Sequence, residues 1–188
     1  MKKNVRIPLI IGVGVLVLVA IFYSTIFSKD STLEKNKAVV RNLFEKVINT
    51  GKIDLADKYV AKNIKAHEPL LTDEKVNQGL AGFKEWVQSY RKAFPDLKFR
   101  IEDLIAENNM VAVRFTMTGT HKGEFMGWKP TNKNFTVSGI DILRLKDGKC
   151  VEHWNQTDML GLLKQLGIFE PAKLSAANYQ TKEVAQTK

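Results

Sequence analysis

The sequence predicts an α+β domain, a curled and mostly antiparallel sheet with helices packed on it, preceded by one N-terminal transmembrane helix. Three observations carry this. Apolar residues recur at helical spacing early in the chain and at strand spacing from residue 98 onward. The order reads helix, helix, strand, helix, then four strands and a last helix, which segregates helices from sheet instead of alternating them. An uncharged run of 19 residues, Leu9 to Phe27, stands in front of all of it. A strongly curled sheet closed by helices encloses a cone-shaped interior of the kind that takes small ligands.

The apolar run is about long enough to cross a hydrocarbon core of roughly 30 Å as a helix. A cleaved signal peptide would have a shorter apolar region followed by small residues, which Ser24-Thr25-Ile26 and its bulky neighbours do not supply. Residues 1–28 therefore read as an uncleaved signal anchor and 31–169 as the folded domain. Lys2, Lys3 and Arg6 favour a cytoplasmic N-terminus, against Lys29, Lys35, Lys37 and Arg41 just beyond the span, and the expectation is a single-pass cell-membrane protein with its domain on the extracytoplasmic side. The 18 residues after Glu170 are polar and unpatterned, a disordered tail. The formal charge of +9 is scattered, with no run of basic and aromatic residues, so nucleic acid is not expected as a partner. A single cysteine, Cys150, excludes an internal disulfide.

Within the domain, Ser31 and Glu34 have the spacing of a capping box. Val39, Val40, Leu43, Phe44, Val47 and Ile48 then form a buried stripe that stops at Asn49-Thr50-Gly51. A short helix from Asp54 to Val60 and an extended piece ending at His67-Glu68-Pro69 follow, since the residue before a proline avoids helix. His67 is a candidate to line a cavity or to sit exposed in a loop. After a polar loop, Thr72 to Gly79, the helix near Leu80 to Ala93 carries Phe83, Val87 and Tyr90 on one stripe with Trp86 beside it. Strands are predicted over Lys98 to Ala106 and Met110 to Thr120, the second with Val111, Val113, Phe115 and Met117 on one face. Trp86, Tyr90 and Phe115 are candidate pocket walls as well as core. The loop Gly119 to Asn134 has three glycines and a proline and is long enough to carry function.

The richest stretch is Phe135 to Gly167: strand, Asp147-Gly148 turn, strand, short helix. With the turn centred on Asp-Gly and regular pairing, Ile142 falls opposite His153 and Asp141 opposite Trp154. Asp141, Glu152, Trp154 and Asp158 then share a face, and carboxylates beside an indole suit a pocket for acid–base chemistry. A plain hairpin with solvated acids fits the same residues. Asp158 stands directly before Met159-Leu160-Gly161-Leu162-Leu163, where an aspartate also caps a helix. For His121 and His153 a satisfied or exposed imidazole is the ordinary role. His67, His121 and His153 lack metal-ligand spacing, and no phosphate loop or nucleophile elbow is present.

From Asn36 to Ile168 the chain resembles the SnoaL-like polyketide cyclase (ester cyclase) group of the nuclear transport factor 2-like superfamily. The likeness rests on NTG (49–51), FPDLKFRIEDLIAENN (94–109), VRFTMTGTHKGEFMG (113–127) and VSGIDILRLKDGKCVEHWNQTDMLGLLKQLG (137–167). It implies a cystatin-like α+β barrel and chemistry without metal or organic cofactor. Cyclases of the group close a ring by intramolecular aldol condensation, one carboxylate removing a proton beside a carbonyl. By position in EHWNQTD, Asp158 corresponds to that carboxylate. Asp141, His121, Asn155 and Glu152 would form the polar surround and Trp154 an aromatic wall. An apparent membrane anchor departs from the soluble cyclases of the group.

Two functions follow: an acid–base enzyme acting on a small apolar carbonyl compound, or a membrane-tethered module that binds a hydrophobic molecule or a partner without turning it over. A homodimer through an exposed sheet face is compatible with both.

Overall fold

The computed structural model describes residues 31–67 and 78–169. The expected anchor at 9–27, most of the loop at 72–79 and the tail from 170 lie outside these residues. Among the described residues no helix is long and apolar enough to cross a membrane.

Helix α1 (31–48) is α-helical to residue 42 and π-helical over Leu43–Ile48. Its wide last turn is closed by the Asn49 N–H donating to the Phe44 carbonyl at 2.9 Å. Leu43, Phe44, Val47 and Ile48 of this turn all reach the core. Gly51, at φ +70°, ends the helix as its sequence predicts. A 3₁₀ turn at Ile53–Leu55 leads into α2 (Ala56–Tyr59). Val60, expected in that helix, instead opens β1 (Val60–His67). Then come α3 (Gly79–Ala93), β2 (Lys98–Glu107), β3 (Met110–Thr120), β4 (Asn134–Lys146), β5 (Lys149–Thr157) and α4 (Met159–Leu166).

The strands form one sheet in the order β1-β5-β4-β3-β2, with β1 parallel to β5 and every other pair antiparallel. Asp147 (φ +51°) and Gly148 (φ +72°) centre the β4–β5 turn. The pairing beyond it is not regular. Leu145 faces Cys150 while Arg144 faces Glu152, so Val151 is an extra residue bulged out of β5. A second bulge interrupts β2 between Ile101 and Asp103. Bulges bend and twist a strand, which is how the sheet acquires its curl.

The inner face buries Phe99, Val113, Phe115, Met117, Val137 and Leu143 against Phe44 of α1 and Val87 of α3. The opposite face leaves Ile140 and Ile142 exposed. Two devices fasten the helices to this sheet. Arg91 of α3 donates to the carbonyls of Ile48, Asn49, Pro95 and Leu97 at 2.9–3.3 Å, tying the end of α1 to the start of β2. Side-chain amides also pair with strand backbone in both directions: Asn49 with Phe99, Gln78 with Ala66, and Gln165 with Thr136.

Candidate active site

The cone holds a cavity with about 770 Å³ of non-protein space, its open mouth included. Most of its wall is apolar. Leu43, Phe44 and Ile48 come from α1, Ile64 and Ala66 from β1, Phe99 and Met117 from β2 and β3. Phe83, Trp86 and Tyr90 come from α3, where spacings of three and four residues put them on one face. Their rings touch in series, with centroids 6.0 Å and then 4.9 Å apart.

The carboxylate, imidazole, amide and aliphatic hydroxyl of the lining stand together on the β4–β5 side, as Asp141, His153, Asn155 and Thr157, opposite the Trp86 indole and Tyr90 phenol of α3. Asp141 stands in the buried register of β4, between Gly139 and Leu143, and is 5 % exposed. A carboxylate so far from water requires charged or hydrogen-bonding partners. Two partners are present: His153 Nε2 lies 3.1 Å from Oδ2, and Asn155 Nδ2 donates to Oδ1 at 2.7 Å. The same amide nitrogen donates to Thr157 Oγ1 at 3.0 Å. A carboxylate paired with an imidazole on an apolar cavity wall can accept and return a proton. Cys150 also lines the cavity, but burial pushes its thiol up to about 12, so it remains protonated and inert at neutral pH.

The bulge at Val151 corrects the expected arrangement of the hairpin. Asp141 pairs with Asn155, and Ile142 with Trp154, one residue away from regular pairing. A slip of one residue exchanges the faces of a strand. Glu152 and Trp154 therefore lie on the far side of the sheet from Asp141, while His153 and Asn155 join it. On that far side Glu152 accepts from Arg144 Nε at 2.9 Å and lies 3.0 Å from His67 Nε2. The Arg144 bond, then His67, holds the Glu152 carboxyl below the usual carboxylate range. His67 stacks on Trp154 with centroids 4.9 Å apart and planes at 8°, and the Arg144 guanidinium lies 5.5 Å from the indole. His67, Glu152 and Trp154 thus form a closed outer network and do not line the cavity.

The remaining expected residues are dispersed. Trp86, Tyr90 and Asn155 line the cavity. Phe115 is fully buried against Phe44 and Phe99 and belongs to the core beneath it. His121 is fully buried below the β3–β4 loop, near the rings of Phe94 and Phe125. Its Nδ1 accepts from the Thr131 N–H at 3.3 Å, which leaves the proton on Nε2, where it has no partner among the described residues. Burial lowers its pKa, partly offset by the Gly123 backbone. Asp158 is exposed and caps α4, accepting from the Gly161 N–H at 2.8 Å. A β-carbon at Gly161 would meet the Asp158 carboxylate, so glycine permits that close approach. His153, Asn155 and Thr157 are the site residues that regular pairing puts on the wrong face. The signal for them is the acid itself: Asp141 interrupts the apolar alternation of Val137, Leu143 and Leu145, and only the adjoining strands can supply its partner.

Comparison with known proteins agrees with this architecture. The model of the SnoaL-like polyketide cyclase family matches residues 38–166. The chain is 28% identical over 121 residues to the nogalonic acid methyl ester cyclase of Streptomyces nogalater, covering 63% of this chain and 88% of that protein. It is 31% identical over 133 residues to the aklanonic acid methyl ester cyclase AcmA of Streptomyces galilaeus, covering 69% and 89%. Among solved structures, TsrD from Streptomyces laurentii superposes with a TM-score of 0.63 at 27% identity, covering 70% of this chain and 97% of that one.

Proposed function

The chain belongs to the SnoaL-like polyketide cyclase family, and from that premise we propose that its cavity performs cofactor-independent acid–base chemistry on a small apolar carbonyl compound. The reaction class is aldol-type ring closure, with isomerisation or dehydration open to the same groups. Asp141 takes a proton from the carbon beside a carbonyl, the resulting enolate attacks a second carbonyl of the same molecule, and the proton returns to the new alkoxide. His153 and Asn155 hold the carboxylate in place through one oxygen each. The aromatic row of α3 packs against the face of the ligand. One observation carries the reading: a carboxylate buried at the polar side of a mostly apolar cavity and paired with an imidazole. The curated relatives, named as methyl ester cyclases of nogalonic and aklanonic acid, support the reaction class.

The same reading keeps residues 9–27 as a membrane attachment, supported by their length and lack of charge. The test therefore uses the full chain in lipid nanodiscs, with empty nanodiscs as the blank. The probe is 2-tetralone, an apolar aromatic ketone, in deuterium oxide. Its α-proton exchange is followed by nuclear magnetic resonance. The expected outcome is accelerated exchange that Asp141→Asn slows by about 10²–10⁴-fold. Retention of 2-tetralone without accelerated exchange would overturn catalysis in favour of a binding module.

A further inference from the structure

We propose that Thr157 is a second catalytic residue of this cavity, donating a hydrogen bond to the substrate carbonyl oxygen as charge develops on it. The proposal rests on the Asp141-centred reading and supplies what a lone base lacks, an electrophile for the enolate.

The argument begins at Asn155. A primary amide has two N–H groups, and here one goes to Asp141 Oδ1 at 2.7 Å and the other to Thr157 Oγ1 at 3.0 Å. Asn155 therefore has no N–H left for a ligand, and the imidazole Nε2 of His153 is committed to Asp141. The Thr157 oxygen accepts from Asn155, which uses a lone pair and leaves its own proton to be placed. Among the described residues no acceptor takes that proton. Thr157 lines the cavity and lies on the same strand face as His153 and Asn155. A hydroxyl with its acceptor side fixed by the protein and its donor side unspent is poised to meet a ligand oxygen.

The spacing suits one ketone. The Asp141 and Thr157 oxygens share a single nitrogen, so they lie about 5 Å apart. A substrate carbon approaching the carboxylate at about 3–3.5 Å can then set its carbonyl oxygen about 2.8 Å from the hydroxyl. In the step itself the C–H bond breaks and its proton passes to Asp141. The bonding pair becomes the enolate double bond, and the carbonyl oxygen takes the negative charge. Thr157 keeps its proton and shortens its hydrogen bond, which is differential stabilisation of the transition state.

The test compares the full chain in nanodiscs with Thr157→Val, Thr157→Ser and Asp141→Asn. Exchange of 2-tetralone reads the chemistry. Fluorescence of bound 2-naphthol, which has the shape of the enol, reads how strongly the site favours its anion. Thr157→Val should slow exchange by about 10²-fold and weaken binding of the naphtholate more than of the neutral naphthol, with the pH profile of exchange unmoved. Thr157→Ser, which restores the hydroxyl, should recover exchange to within several-fold of the parent. Parental exchange in Thr157→Val would overturn the proposal while leaving the base in place. A slowed Thr157→Val with a displaced pH profile and unchanged naphtholate preference would reduce Thr157 to a prop for Asn155, again overturning it. Parental exchange in Asp141→Asn would instead remove the reading on which the proposal stands.

Discussion

At the residue scale the structure separates two aspartates that the sequence presents as rivals. Asp141 is buried with two partners, whereas Asp158 is exposed and spends a carboxylate oxygen on the first turn of α4. The two roles answer differently to substitution. Asparagine caps a helix about as well as aspartate, while alanine does not. Asp158→Asn is therefore expected to leave both stability and 2-tetralone exchange near parental values. Asp158→Ala should cost about 0.5–2 kcal/mol in urea unfolding. A large loss of exchange in Asp158→Asn would return the base to that position. The capping role is legible in the residues themselves, since an aspartate directly before an apolar helical run has that geometry built in. The Asp141–His153 pair is not legible in the same way, because it depends on which residue faces which across two strands.

At the element scale the deciding event is the bulge at Val151. The helical stripes of α1 and α3, the turn at Asp147-Gly148 and the alternation within β3 all follow from local periodicity and appear where the sequence puts them. A bulge leaves no such trace. Val151 is an ordinary strand former, and nothing in its neighbours says that it pairs with nothing. One unpaired residue is enough to send Glu152 and Trp154 outward and bring His153, Asn155 and Thr157 inward. Arg91 is a second feature that spacing conceals, because its partners are backbone carbonyls contributed by α1 and by the turn into β2. Hydrogen bonds to a charged group contribute about 1.5–3 kcal/mol each when not shared. Four carbonyls share one guanidinium here, so Arg91→Ala should destabilise the fold by about 2–4 kcal/mol in denaturant unfolding. Thr157, by contrast, should affect chemistry far more than stability.

At the scale of the whole molecule, the α+β class follows from element order, since helices gathered before a run of strands have one sheet to cover. The position of His121 adds a dependence on acidity that element order does not announce. Its pKa is held down by burial. In the unfolded chain the imidazole takes a proton near its ordinary pKa of about 6.5. The sign follows directly: below that pH the unfolded chain binds a proton the folded chain resists, so stability falls as pH drops through this window toward the lower folded value. Asp57, Asp96 and Glu152, whose pKa values are lowered, lose their contributions at more acid pH, from the usual carboxylate range down to their lowered folded values. Urea unfolding at pH 7.5 and 5.5 should therefore show a loss that His121→Phe, with no group to protonate, largely removes.

The paired amides of Asn49, Gln78 and Gln165 have a consequence beyond holding helices to strands. β1 and β2 are the two rims of the sheet, and Thr136 lies on β4 beyond the last β5 partner, where that strand too is open. Each amide fills the donor and acceptor slots that the backbone of an incoming chain would otherwise use. A single glutamine or asparagine thus imitates one residue of a neighbouring strand and then goes no further, because a side chain cannot be extended. At Ala66, Phe99 and Thr136 the fold itself thus occupies the slots that an added strand would need.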